Sequence, residues 1–126
     1  MQQRPATNRN FRRTLSASTL VGSPVYNAEG KNLGNVKEIM LDVVDGRIAY
    51  SVLSFGGFLG IGDKLLAIPW QAFGVDEENE TLLLNVDEET LLKAEGFDPD
   101  NWPDTTDPEW GRRIHRHYGY EPYWDR

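Results

Sequence analysis

The sequence predicts a mainly β domain followed by a helical, aromatic C-terminal extension. Three observations carry this. Residues 39–55 contain two strand-like runs joined at Asp45-Gly46. Residues 56–62, Gly-Gly-Phe-Leu-Gly-Ile-Gly, hold too many glycines for a regular helix or strand. Near the C-terminus, Trp110, Ile114 and Tyr118 recur every fourth residue, a spacing that keeps them on one helical face.

The chain has 126 residues, enough for one domain with modest extras. A chain of this size buries roughly two-thirds of its unfolded surface, which suffices for one core without staples. It contains no cysteine. That excludes disulfides, thiol chemistry and CxxC zinc sites, and it fits a cytoplasmic setting. No apolar run approaches the ~20 residues that cross a bilayer, and the N-terminus lacks the apolar core of a signal peptide. The net charge is −7. Arg4, Arg9, Arg12 and Arg13 stand near the N-terminus without an acid among them, which leaves nine basic and twenty acidic residues, or −11, for the rest. An acidic body argues against nucleic-acid binding by the folded part, because phosphate neutralisation needs clustered Lys or Arg.

Residues 1–14 are polar and basic, with Phe11 the one large apolar side chain after Met1, and they read as a disordered arm. The arm is either a solvated tail or an electrostatic contact for RNA or an anionic surface. Residues 15–20 lead into a first strand around Val21 to Tyr26. Asn27 to Gly30 form a turn. Lys31 to Val44 form the next strand, with Gly34 as a bend or bulge. Ile39, Leu41 and Val43 are expected on one face of it, and Glu38 and Asp42 on the other. Asp45-Gly46 is a hairpin signal for a tight primed turn. In Arg47 to Phe55, Ile48, Tyr50 and Val52 share one face, and Ala49, Leu53 and Phe55 the other. Apolar residues on both faces predict a strand covered on both sides or one lining a small barrel.

Phe58, Leu59 and Ile61 stand between glycines and have two readings: folded back over the end of the core, or exposed as a patch for association. Asp63 to Ile68 resumes a strand, Pro69 ends it by removing a ladder donor, and Trp70 begins a short turn. Short strands near 73–75 and 81–86 flank an acidic turn. Asp87 is an N-cap, followed by Glu88 and Glu89 in the first helical turn, with Leu91 and Leu92 packing inward and Gly96 closing the segment. Asp107, Pro108 and Glu109 supply a cap, a proline and an acid for a second helix at about 108–118, closed by Gly119. His115, Arg116 and His117 fall in its last turn, where positive charge complements the dipole. Tyr120, Tyr123 and Trp124 follow. A tail this aromatic is expected to dock on its own domain or on a second subunit, since fully burying one such ring contributes roughly 1.5–3 kcal/mol.

SFGGFLGIGDKLLAIPW, preceded by LGNVKEIMLDVVDGRIAYSVL, resembles the PRC-barrel domain over about Leu15 to Leu92. The resemblance implies a small β-barrel of about six strands, an assembly and interaction module, and no enzymatic activity. It divides the chain into a basic arm (1–14), the barrel (15–95) and the extension (96–126).

Other chemistries fit poorly. The glycine-rich loop lacks the Gly-Lys-Ser/Thr of a phosphate cradle, and Asp63 would repel phosphate. Asp98, Asp100, Asp104 and Glu109 match some calcium-loop positions, but Trp102 and Pro103 occupy a ligand position and the required glycine. His115 and His117 diverge by about 200° on a helix and cannot readily share a metal. No serine lies in a nucleophile elbow. The expectation is a non-enzymatic interaction or adaptor protein without a cofactor, a homodimer with a further protein partner. Its contact residues are expected to be Phe58, Leu59, Ile61, Trp110, Tyr118, Tyr120 and Trp124. The alternatives are an RNA- or ribosome-assembly-associated factor and a small-ligand-binding barrel.

Overall fold

A computed structural model describes residues 14–56 and 64–125. The arm and the loop residues Phe58, Leu59 and Ile61 therefore lie outside the described residues.

Ser16 starts the helical turn α1 (Ala17–Leu20) by accepting the Thr19 N–H at 3.2 Å. The first strand, β1, is shorter than expected, Pro24–Tyr26. Gly22, at φ +91°, and Pro24 mark where the strand is held off. Asn27 then accepts the N–H groups of Glu29 and Lys31, which fixes the turn into β2 (Asn32–Asp42). Gly34, at φ +143°, lies against the backbone carbonyl of Ser54, where no side chain fits. β3 (Arg47–Phe55), β4 (Lys64–Pro69), β5 (Phe73–Asp76) and β6 (Thr81–Leu84) follow. Two short helices complete the chain, α2 (Glu88–Leu92) and α3 (Pro108–Tyr118).

The strands form one row, β4-β3-β2-β1-β6-β5. All neighbours are antiparallel except β1 and β6, which are parallel. The six strands form a sheet that is not closed among the described residues, where no ladder joins β4 to β5. The outer edge of β4 is already occupied, since Leu65 and Phe97 exchange two N–H···O bonds of 3.0 Å. The two end strands are instead linked through the single 3-10 turn Trp70–Ala72. The sheet still curls around one core. Val36, Leu53, Leu66, Ile68, Leu82 and Leu84, from four strands, share an aliphatic cluster with Leu20 of α1 and Leu91 of α2. Leu92, expected to pack with Leu91, is exposed.

Two register shifts redirect side chains between β2 and β3. Met40 pairs with Tyr50 and Leu41 with Ile48, so Ala49 is an extra residue in β3. Ala49 therefore joins Tyr50 in an outer cluster rather than facing inward with Leu53 and Phe55. β3 and β4 are covered on both sides, by the aliphatic core within and by α3 outside. Among the described residues no helix is long and apolar enough to cross a membrane.

Candidate interaction surface

The same irregularity shapes the β2–β3 hairpin. Its connection is the four-residue loop 43–46, not a two-residue primed turn, and of these residues Gly46 takes positive φ, +68°. Asp42 builds the loop. Its carbonyl accepts the Gly46 N–H at 2.8 Å, and its Oδ1 accepts the N–H groups of Val44 and Asp45, both at 3.0 Å. The loop projects apolar side chains into solvent: Leu41 is 62%, Val43 86% and Val44 91% exposed. Ile39 and Leu41 keep the alternation expected of β2, but Ile39 packs on the core, whereas Leu41 stands near the strand's end and Val43 beyond it, both uncovered.

Beside the tip lies an open cleft of about 540 Å³. Met40, Tyr50, Pro108 and Trp124 give it apolar walls, and Asp42, Asp45 and Asp107 give it an acidic rim. Its far wall is positioned by α3. Asp107 caps that helix by accepting the Glu109 N–H at 3.0 Å, Pro108 occupies its first turn, and Gly119 closes it at φ +84°. Beyond Gly119 the chain turns back along α3 and ends in a 3-10 turn, Tyr123–Asp125. Tyr123 donates its hydroxyl to Asp42 Oδ2 at 2.5 Å, which ties this C-terminal turn to the hairpin. Arg112 pairs with Asp125 at 2.9 Å on the outside.

The rings behind the cleft meet edge to face, the arrangement their quadrupoles favour. Tyr50 and Trp110 lie 5.2 Å apart, Tyr123 and Trp124 5.1 Å apart. Gly111 makes the fit possible, because a Cβ there would meet the Trp124 ring at 2.6 Å and the Tyr50 hydroxyl at 2.9 Å. At the centre is His115, 0% exposed and packed against Tyr50, Tyr123 and Trp124. Its expected place in a solvated helix end is therefore corrected: the α3 face that carries Ile114 is wide enough to include its neighbour. His115 Nδ1 lies 2.7 Å from the Gly111 carbonyl, to which it donates, and Nε2 is buried without a hydrogen-bond partner among the described residues. Burial pushes its pKa down, with the Gly111 carbonyl and Asp125 opposing. His117 does lie at the surface, 2.8 Å from the Thr90 carbonyl.

The anticipated contact residues fall in different places. Trp110 is buried against its own sheet and is not available to a partner. Tyr118 bridges the inner and outer clusters with its hydroxyl enclosed, and burial drives its pKa up. Tyr120 is partly buried against the inner cluster. Trp124 lines the cleft. Leu41, Asp42, Val43, Val44 and His115 were not among the contact residues expected from the sequence. Two β-branched valines directly before Asp-Gly were the available signal, since a loop has no packing need for them.

Hydrogen bonds and burial set the protonation of the groups around the cleft. The Tyr123 hydroxyl holds Asp42 below the usual carboxylate range, while burial and then Asp42 drive the Tyr123 pKa up. Burial alone raises Tyr50 to about 12. The pair therefore keeps its protons in place around neutral pH and works as a clamp. Asp104, once weighed as part of a calcium loop, accepts from the Thr106 N–H at 3.0 Å and its hydroxyl at 2.6 Å. Trp102, at the mismatched position, lies against Phe97 with ring centroids 4.9 Å apart.

Residues 13–91 match the family model of the PRC-barrel domain, more than half of the chain. No curated protein matches the chain.

Proposed function

The chain belongs to the PRC-barrel family, and from that premise we propose that it is a non-enzymatic interaction protein whose contact face is the β2–β3 tip with the cleft beside it. The observation that carries this reading is the exposure of Leu41, Val43 and Val44 next to a cleft floored by Tyr50 and Trp124. Adjacent exposed apolar side chains with a polar rim are the usual mark of a protein contact. The glycine-rich loop with Phe58, Leu59 and Ile61 belongs to the same proposal as a second contact. Capture from nuclease-treated native lysate tests it. A partner held by the wild type and lost by Val43→Asp/Val44→Asp, with thermal unfolding unchanged, is the expected result. A partner held equally by both removes this face from the interaction.

A second copy of the chain is the rival occupant of this face, since the projecting tip and the apolar recess sit side by side on one chain, as a two-fold interface requires. On that reading, sedimentation velocity should show a dimer that the same double variant converts to monomer. A wild-type monomer at high protein concentration excludes this reading.

A further inference from the structure

The cleft offers more than apolar walls. Asp42, Asp45 and Asp107 stand on its rim, and Lys, Arg and His are absent from its lining among the described residues. Two cations lie over rings that line the cleft, Arg47 over Tyr123 at 4.7 Å and Arg112 over Trp124 at 5.7 Å, and Arg112 is paired with Asp125. Asp42 is held ionised by the hydrogen bonds that build the tip. Two copies of this face would bring six carboxylates together, in chains that each carry −7 overall. A segment with positive charge flanking an aliphatic or aromatic anchor would meet complementary chemistry at every point: the anchor against Met40, Tyr50 and Trp124, the cations against the three aspartates. The acidic field of the whole chain would also speed its approach.

We propose that the occupant of this cleft is a short cationic peptide segment of a partner protein, with an aromatic or aliphatic anchor between arginines or lysines. The proposal rests on the contact face argued above and specifies what that face selects. An extended segment fits best, because alternate residues then point the same way, so an anchor and the cations two residues to either side reach the cleft together.

The probe is a fluorescein-labelled peptide with the sequence of residues 1–14, in which Arg9, Phe11 and Arg13 alternate in this manner. It is titrated against the full chain by fluorescence polarisation at about 50 mM and about 300 mM salt, across which charge screening rises strongly. Saturable binding should weaken about fivefold or more at the higher salt and by roughly tenfold with Asp45→Lys, which removes an exposed attractive contact and adds a repulsive one. It should also weaken with Phe11→Ala in the peptide and disappear when its arginines are replaced by glutamates. Asp45 is exposed, so the variant is expected to fold, and circular dichroism checks this.

Peptide binding that is indifferent to Asp45→Lys, or equal for the glutamate peptide, overturns the proposal. So does a dimer broken by Val43→Asp/Val44→Asp that the peptide cannot displace, which would make a second copy the occupant. If the lysate partner still depends on Val43 and Val44 while no cationic peptide binds, the contact face stands and the charge preference falls. If neither depends on the tip, both readings fall.

Discussion

The two faces of β3 solve different problems. Inside, Leu53 and Phe55 meet Val36, Leu66, Leu82 and Leu84, side chains with no polar atom to satisfy. Outside, Tyr50 meets Trp110, His115, Tyr123 and Trp124, each with a polar atom that must find a partner or be enclosed. The inner face gains from any close packing of aliphatic volume. The outer one depends on ring angles, on the space left at Gly111, and on a hydrogen bond from Tyr123 to Asp42. An aliphatic core stabilises the sheet under most conditions, whereas an aromatic cluster with a buried histidine can respond to conditions. The second kind of packing lies directly behind the candidate contact face.

Mutations that act on one face alone test this contrast. Leu53→Ala removes a fully buried inner side chain and should cost about 2–5 kcal/mol, read as a fall in the urea midpoint with an unchanged slope. A cost below that range would mean that the inner cluster is looser than its burial indicates. Gly111→Val should cost less, about 1–3 kcal/mol, because overpacking can be relieved by displacing Trp124 toward solvent. Its signature is a red-shifted tryptophan emission and altered near-UV dichroism while the far-UV signal of the sheet persists. Loss of the far-UV signal would show that the two faces do not act separately.

The smallest effect is the pH dependence from His115. Burial lowers its pKa in the folded chain, so between that value and the ordinary one near 6.5 the unfolded chain binds the extra proton. Stability from this group is therefore complete above about pH 6.5 and falls as pH drops, by at most about 1.4 kcal/mol per pH unit for one proton. Chemical denaturation between about pH 7.5 and 5.5 should show this slope in the wild type and a smaller one in His115→Gln. Equal slopes in the two proteins would assign the acid sensitivity to other groups.

Much of this frame was legible in the sequence. The six strands lie close to the runs of β-branched and aromatic residues, and Asp87, Asp107, Pro108 and Gly119 start and stop the helices as local chemistry dictates. One hidden feature is a single inserted residue. Ala49 interrupts the pairing of β3 with β2, so simple alternation places it with Leu53 and Phe55, whereas it packs with Tyr50. The exposure of Leu41 and Val43 was hidden because alternation assigns a face and not what covers it. His115 was hidden for another reason. Charge near a helix end favours a solvated histidine, but the chain after Gly119 folds back over it, and a tertiary contact of that kind leaves no periodic trace. Phe97, from outside the strand region, takes the outer edge of β4, a pairing that no alternation in the sequence signals.

The parallel pairing of β1 with β6 sets an order of assembly. Val25 lies beside Leu82 and Tyr26 beside Leu83, so a three-residue strand near the start must await residues more than fifty positions later. The hairpin of β2 and β3, and β4 after it, can form from neighbours as the chain emerges from the ribosome. The seam between β1 and β6 cannot. Closing a loop of that length carries an entropy cost that grows only slowly with length, but it makes this contact the most non-local in the sheet and slows folding relative to local pairing. Until β6 has been synthesised, one edge of β1 and the aliphatic floor beneath it remain uncovered. A nascent chain stalled before Leu82 is thus an incomplete sheet with an adhesive edge, and its protection during synthesis falls to whatever binds the emerging chain.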